Sequence, residues 1–228
     1  MSARVIALTS LVCALAVMAV PGTAGAQNEC NGVPTCIPVE GPWVVLPARG
    51  EVKFALSCPQ GKGIVAGTDV LASSLDVHVT FDGNLGAPVA FGRTTSTGVL
   101  FRAVSGRHRA GSFKPFIGCI PAPASVRNTI AAKPTPAGPP LHLLSKLVKL
   151  NPGFQKVVTL GCPTGEALVD SWSTPSFDTI DEPDPGLASA IAVKTTISGD
   201  RARLAISASE ALPAGSHAEV QIGVRCAD

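Results

Sequence analysis

One short stretch occurs twice in this chain, and each copy is followed at nearly the same distance by a second cysteine. Leu56-Ser57-Cys58-Pro59-Gln60-Gly61 returns as Leu160-Gly161-Cys162-Pro163-Thr164-Gly165. An apolar run leads into each, Val52 to Leu56 and Lys156 to Leu160. Cys58 to Cys119 is a step of 61 residues and Cys162 to Cys226 a step of 64. In each copy the cysteine ends a strand, the proline cannot continue a central ladder, and the glycine permits a turn. A second match lies downstream. Ser105 to Ser112 aligns without gaps to Ser209 to Ser216, Ala-Gly-Ser closes both, and Leu100 falls on Leu204. The motif, the loop and the cysteine step together predict a duplicated unit. The three extra residues predict a longer or bulged last strand in the second copy.

The first 26 residues read as a leader outside the fold. Arg4 supplies a positive charge, Val5 to Val20 is nearly unbroken apolar sequence, Pro21-Gly22 breaks it, and Ala24-Gly25-Ala26 has the small-x-small form of a cleavage site. The run is short for a membrane span, which needs roughly 20 apolar residues. Removing 26 of the 228 residues leaves 202, and Cys13 departs with them. Six cysteines remain, which in an exported chain favours three disulfides. The expected location is therefore secreted or extracellular. The formal charge falls from +2 to +1 with Arg4 gone, which gives no electrostatic case for a nucleic-acid partner. No segment after the leader is apolar enough to span a membrane as a helix. Twenty prolines and 23 glycines suit many turns, hence an all-β fold. The Ala, Gly, Pro and Arg bias suits a GC-rich bacterial genome.

Five segments follow in order: a signal peptide over 1–26, an N-terminal extension over 27–42, domain 1 over 43–121, a proline-rich linker over 122–140 and domain 2 over 141–228. In the extension, Cys30 and Cys36 flank an Asn-Gly turn signal and a stiffening Pro34, which predicts a local bridge. Six cysteines allow 15 pairings, so spacing alone leaves the connectivity open. In domain 1, strands are predicted at Trp43 to Leu46, Val52 to Cys58, Asp76 to Phe81, Val99 to Val104 and Phe113 to Cys119. The third alternates strictly: Val77, Val79 and Phe81 on one face, Asp76, His78 and Thr80 on the other. If Cys58 pairs with Cys119 and Cys162 with Cys226, each bridge closes a loop of about 60 residues. In the chain-entropy model that is worth roughly 4 kcal/mol, a large share of a typical stability of about 5–15 kcal/mol.

Two units of this size, with short strands and a cysteine pair near each end, resemble immunoglobulin-like β-sandwich domains. The resemblance implies two tandem antiparallel sandwiches, each stapled by its cysteine pair. It also implies that Trp172, ten residues after Cys162, packs against a bridge. The pattern departs in three places. Domain 1 has Thr68 where domain 2 has Trp172, the chain has no tyrosine for a tyrosine corner, and Cys226 leaves no room for a further strand.

Chemistry-bearing clusters are few. Asp178, Asp181, Glu182 and Asp184 form the densest acidic stretch, a candidate calcium loop by its oxygen content but without EF-hand spacing. Arg107, His108 and Arg109 form a basic hairpin tip. The matching tip of domain 2 is Ala211-Leu212-Pro213, so this charge is not required by the fold. It suits an anionic partner or an acidic loop. Asp76 and His78 share a strand face, yet no G-x-S-x-G, P-loop, dinucleotide fingerprint or HExxH accompanies them. No catalytic residue and no cofactor is predicted. The expectation is a secreted, non-enzymatic interaction or structural protein with a protein or cell-envelope partner. The alternatives are a small-molecule carrier with a cleft in one sandwich, and a secreted hydrolase.

Overall fold

The computed structural model describes residues 29–30, 36–59, 63–82, 88–90, 93–94, 97–106, 108–121 and 141–227. Residues 1–26 and 122–140, read from sequence as a leader and a linker, lie outside them. The fold is nearly all β. A first half contains β1 (Ile37–Glu40), β2 (Trp43–Leu46), β3 (Glu51–Ser57), β4 (Gly63–Ala72), β5 (Val77–Asp82), β6 (Pro88–Ala90), β7 (Arg93–Thr94), β8 (Gly98–Ser105) and β9 (Gly111–Pro121). A second half contains β10 (Leu141–Lys149), β11 (Gln155–Gly161), β12 (Ala167–Phe177), a 3₁₀ helix over Pro185–Ala190, β13 (Ile191–Ser198), β14 (Arg201–Ala208) and β15 (Ala218–Ala227).

Pairing is antiparallel throughout and follows the same order in both halves. In the first, β9 lies between β4 and the β1/β2 edge, and β8 lies between β3 and β5. In the second, β15 lies between β12 and β10, and β14 lies between β11 and β13. The duplicated motif ends the equivalent strands β3 and β11. The Cys58 amide bonds the Thr97 carbonyl at 2.8 Å, and the Cys162 amide bonds the Asp200 carbonyl at 3.0 Å. Gly165 takes φ +94°, the left-handed conformation for which the motif needs a glycine.

The register refines the sequence alignment. Ser57 pairs with Gly98 and Gly161 with Arg201, so Leu100 corresponds to Arg203, and Phe101 to Leu204. A slip of one residue exchanges the two faces of a strand. Phe101 and Leu204 are therefore the matching core residues, while Leu100 faces the other way. The extra residues of the second copy are also not in its last strand, which pairs with β10 without a register shift. They lengthen the preceding loop, 209–217 against 106–110. The bulges sit elsewhere and in equivalent places: between Val65 and Gly67 in β4, and between Leu168 and Asp170 in β12.

The two halves share one sheet. β2 pairs with β12, Val44 opposite Ser176 and Trp43 opposite Phe177. The result is a seven-stranded sheet running from β4 through β9, β1/β2, β12 and β15 to β10. Val44 and Leu46 face a core formed with Phe54, Phe101, Phe113 and Ile117. Val45 faces the opposite core, with Phe177, Leu204, Ile206 and Ile222. The β3–β8–β5 sheet thus covers one face of the long sheet, and the β11–β14–β13 sheet the other. A strand buried on both faces reads as a continuous apolar run, which is what Trp43-Val44-Val45-Leu46 is. Cys58–Cys119 and Cys162–Cys226 each tie the end of a small-sheet strand to the long sheet, with Cα–Cα distances of 5.8 and 5.6 Å. Cys30–Cys36 closes the local loop.

Candidate binding cleft and the seam between the halves

The flip between the halves leaves one face of β12 and β15 turned toward the first half. Alternation puts Asp170, Trp172, Thr174 and Ser176 on that face of β12, and Glu219, Gln221, Gly223 and Arg225 on that face of β15. Read from sequence alone, such a polar alternation is a solvent face. Here it is a seam: Thr174 and Ser176 are fully buried, and Gln221 is 2% exposed.

Edge strand β3 ends against this seam, and side chains satisfy its backbone. Gln221 Oε1 accepts from the Ala55 amide at 2.6 Å, and Gln221 Nε2 donates to the Ala55 carbonyl at 2.7 Å. The carboxamide thus pairs with β3 as another strand would. Thr174 Oγ1 donates to the Lys53 carbonyl at 2.5 Å, and Trp172 Nε1 donates to Gln221 Oε1 at 3.2 Å. Trp172 lies on Gly223, where a Cβ would meet the ring at 2.0 Å, and packs against Ala55 and Leu100. The tryptophan that the immunoglobulin resemblance places on a disulfide therefore packs between the halves, away from the core that holds Cys162 and Cys226. Two ion pairs flank the contact: Lys53–Asp170 at 2.7 Å and Arg225–Asp82 at 2.7 Å.

Beyond Phe177 the acidic segment crosses onto the first half. Trp43 Nε1 donates to the Ile180 carbonyl at 3.3 Å, and Lys114 Nζ to the Thr179 carbonyl at 3.3 Å. Lys114 is also ion-paired with Glu40 and stands 5.6 Å from the Trp43 ring centroid, so its charge is spent within the fold. Ser112 Oγ donates to Glu182 Oε1 at 2.5 Å. The segment thereby lines one side of a cleft of about 280 Å³, whose lining also includes Arg109, Ser73, Ser74, Asp76 and Ser105.

The candidate residues from sequence divide accordingly. Arg109 and Glu182 line one cleft. Arg107 lies outside the described residues. His108 is exposed and contacts the Arg49 guanidinium. The acidic residues make separate contacts. Asp184 caps the 3₁₀ helix by accepting from the Gly186 amide at 2.8 Å. The Asp178 amide bonds the His217 carbonyl, and the Asp181 carbonyl accepts from Thr179 Oγ1 at 2.8 Å. Among the described residues no group of three or more His, Cys, Asp or Glu stands close enough to hold a metal ion. Asp76 precedes β5 rather than sharing its ladder with His78. The cleft lining holds serines and Asp76 but no histidine, so it does not assemble a serine–histidine–aspartate relay.

A second depression, of about 580 Å³, lies along the exposed side of β11, β14 and β13, between Lys156, Val157 and Lys194. The first cleft opens where the two sheets of the first half end, with Val77 and Ser105 from one sheet and Gly111 from the other in its lining. Scanned against models of known families, the sequence matches none, and a search of curated proteins finds no significant relative.

Proposed function

We propose that this chain is an exported, non-enzymatic interaction protein, built from two disulfide-stapled β-sandwiches of duplicated origin, which binds its partner at the Arg109–Glu182 cleft. Export is supported by the leader-like residues 1–26 and by three disulfides. The observation that carries the site is convergence. The basic tip and the acidic loop are where the two otherwise matching halves differ, and one residue of each, Arg109 and Glu182, lines the same cleft. Loops that depart from a shared scaffold are where binding concentrates. About 280 Å³ falls below the usual range of roughly 300–1,000 Å³ for small-molecule pockets. The cleft suits a charged side chain or a short extended segment of a larger partner at the cell envelope. The test is quantitative capture from culture supernatant and cell wall, on wild type, Arg109→Ala and Glu182→Ala. One and the same partner should be depleted by both variants and by raised salt. A captured set unchanged by all three treatments removes the cleft as the site.

A further inference from the structure

The outer faces of the two small sheets correspond residue by residue, and their charges do not. With Ser57 matched to Gly161 and Phe101 to Leu204, the first half's Glu51, Lys53, Arg102 and Asp82 correspond to Gln155, Val157, Ala205 and Thr196. In the first half these four carry both signs, and all are paired: Glu51 with Arg102, Lys53 with Asp170, Asp82 with Arg225. In the second half all four charges are gone, and cations stand elsewhere. Lys194 stands where the first half has Thr80, and Arg203 where it has Leu100, which packs with Trp172. Both are exposed. Arg201 lies beside Asp200 at 3.8 Å, but among the described residues neither the Lys194 nor the Arg203 side chain enters an ion pair. No carboxylate occupies an outward position on β11, β13 or β14.

The face is also hollowed. On the central strand Ala205 lies between Val157 on one side and Lys194 on the other, and Ser207 lies between Gln155 and Ala192. These two rows line the depression of about 580 Å³. The row beyond them is Thr159, Arg203 and Thr196. Arg203 and Lys194 are diagonal neighbours, about 7–8 Å apart on such strands, so two long side chains can reach one anion. The class of ligand follows from what the face offers. The groove follows β14, whose backbone is paired on both sides, so an extended peptide finds nothing there to pair with. No aromatic ring stands at an outward position for a nucleic-acid base to stack on. A polymer charged at every unit would leave most of its charges against Val157, Thr159, Thr196 and Ser207. Sparse carboxylates between hydroxyl-rich stretches match the face instead. A guanidinium takes a carboxylate on two parallel hydrogen bonds, and Thr159, Thr196, Ser207 and Gln155 offer donors and acceptors to hydroxyls.

We propose that this face binds an acidic polysaccharide laid along β14, with a carboxylate held between Arg203 and Lys194. The site shares no residue with the Arg109–Glu182 cleft and stands whether or not that cleft binds a partner. Fluorescence anisotropy of labelled hyaluronan oligosaccharides, which carry a carboxylate on every second sugar, measures the binding at low salt. Arg203→Gln and Lys194→Gln should each weaken it about fivefold, the upper end for an exposed ion pair. Ala205→Leu should weaken it too, because it fills the groove and leaves both cations in place. Arg109→Ala should leave it unchanged. In competition, neutral dextran should have no effect, and polyphosphate and polyglutamate should displace the label less readily than unlabelled hyaluronan. Near-ultraviolet circular dichroism checks that the variants are folded. Absence of binding overturns the proposal, as does equal competition by dextran. Tighter binding of polyphosphate or polyglutamate overturns the polysaccharide as occupant. Affinity that survives all three substitutions on this sheet, or that falls only with Arg109→Ala, removes the face as the site.

Discussion

Glu219 is the seam residue whose surroundings suit it least. It is 7% exposed and sits opposite Ser176, whose hydroxyl is buried without a partner. Burial raises its carboxyl above the ordinary 4.5; Lys149 and His217 oppose the rise and Asp178 adds to it. A carboxyl whose folded pKa is raised favours the folded state in its protonated form. That contribution is fully present below the unfolded pKa and is lost as pH climbs through the folded one. At neutral pH the buried charge is therefore a cost, on the order of 1–2 kcal/mol by the scale of burying polar groups. Glu219→Gln should stabilise the protein by about that amount at pH 7, and the gain should shrink to nothing below the ordinary carboxyl pKa. Urea midpoints across a pH series measure this, and a gain that persists unchanged in acid contradicts it. None of this is legible in the sequence. Glu219, Gln221 and Arg225 alternate with valines and an isoleucine as solvent-facing residues do, and only the neighbouring half makes that face an interior. Trp172 illustrates the same limit. Its spacing from Cys162 suggests a partner in its own half, whereas the bulge after Leu168 turns it toward Ala55 and Leu100.

At the scale of elements, the seam solves an edge-strand problem without a further strand. β3 closes one side of its sheet, and its outward amides and carbonyls would otherwise invite pairing with another chain. Gln221 and Thr174 occupy those groups instead. Gln221→Leu keeps the bulk but leaves the Ala55 amide and carbonyl buried and unpaired. At about 1–3 kcal/mol for each orphaned group, the loss should be roughly 2–6 kcal/mol, with faster hydrogen exchange at Ala55 than at Phe54. Equal exchange in variant and wild type would mean that water replaces the carboxamide without penalty. The strands themselves vary in legibility. β5 is legible because Val77 and Val79 alternate cleanly with His78 and Thr80. β4 is not, because Gly63, Gly67 and its bulge break the period of two that marks a strand. β1 hides in what reads as an extension, since Pro38 sits in an edge strand where its missing N–H costs little.

The whole molecule is three layers joined by one sheet, and this bears on how it unfolds. Two beads on a linker would melt separately. Here β2 contributes Val44 and Leu46 to one core and Val45 to the other, so neither core can lose β2 without exposing both. Each half has its own staple, and neither bridge crosses the seam. Cooperativity between the halves therefore rests on β2, Gln221, Trp172 and the flanking ion pairs. The two tryptophans report on that joint directly, because Trp43 bonds the loop arriving from the second half and Trp172 covers the first half's Ala55 and Leu100. Far-ultraviolet circular dichroism reports instead on strands throughout the chain. If the seam couples the halves, both signals follow one transition in urea with a single midpoint, as coincident probes do for a two-state unit. If the seam opens first, tryptophan emission shifts to the red at a lower urea concentration than the loss of strand signal, and the halves then unfold from a separated intermediate. The geometry of β2 predicts the first outcome with all bridges intact. Val45→Asp, which places a carboxylate in the second core from a strand of the first half, should separate the two curves and expose the tryptophans at the lower midpoint.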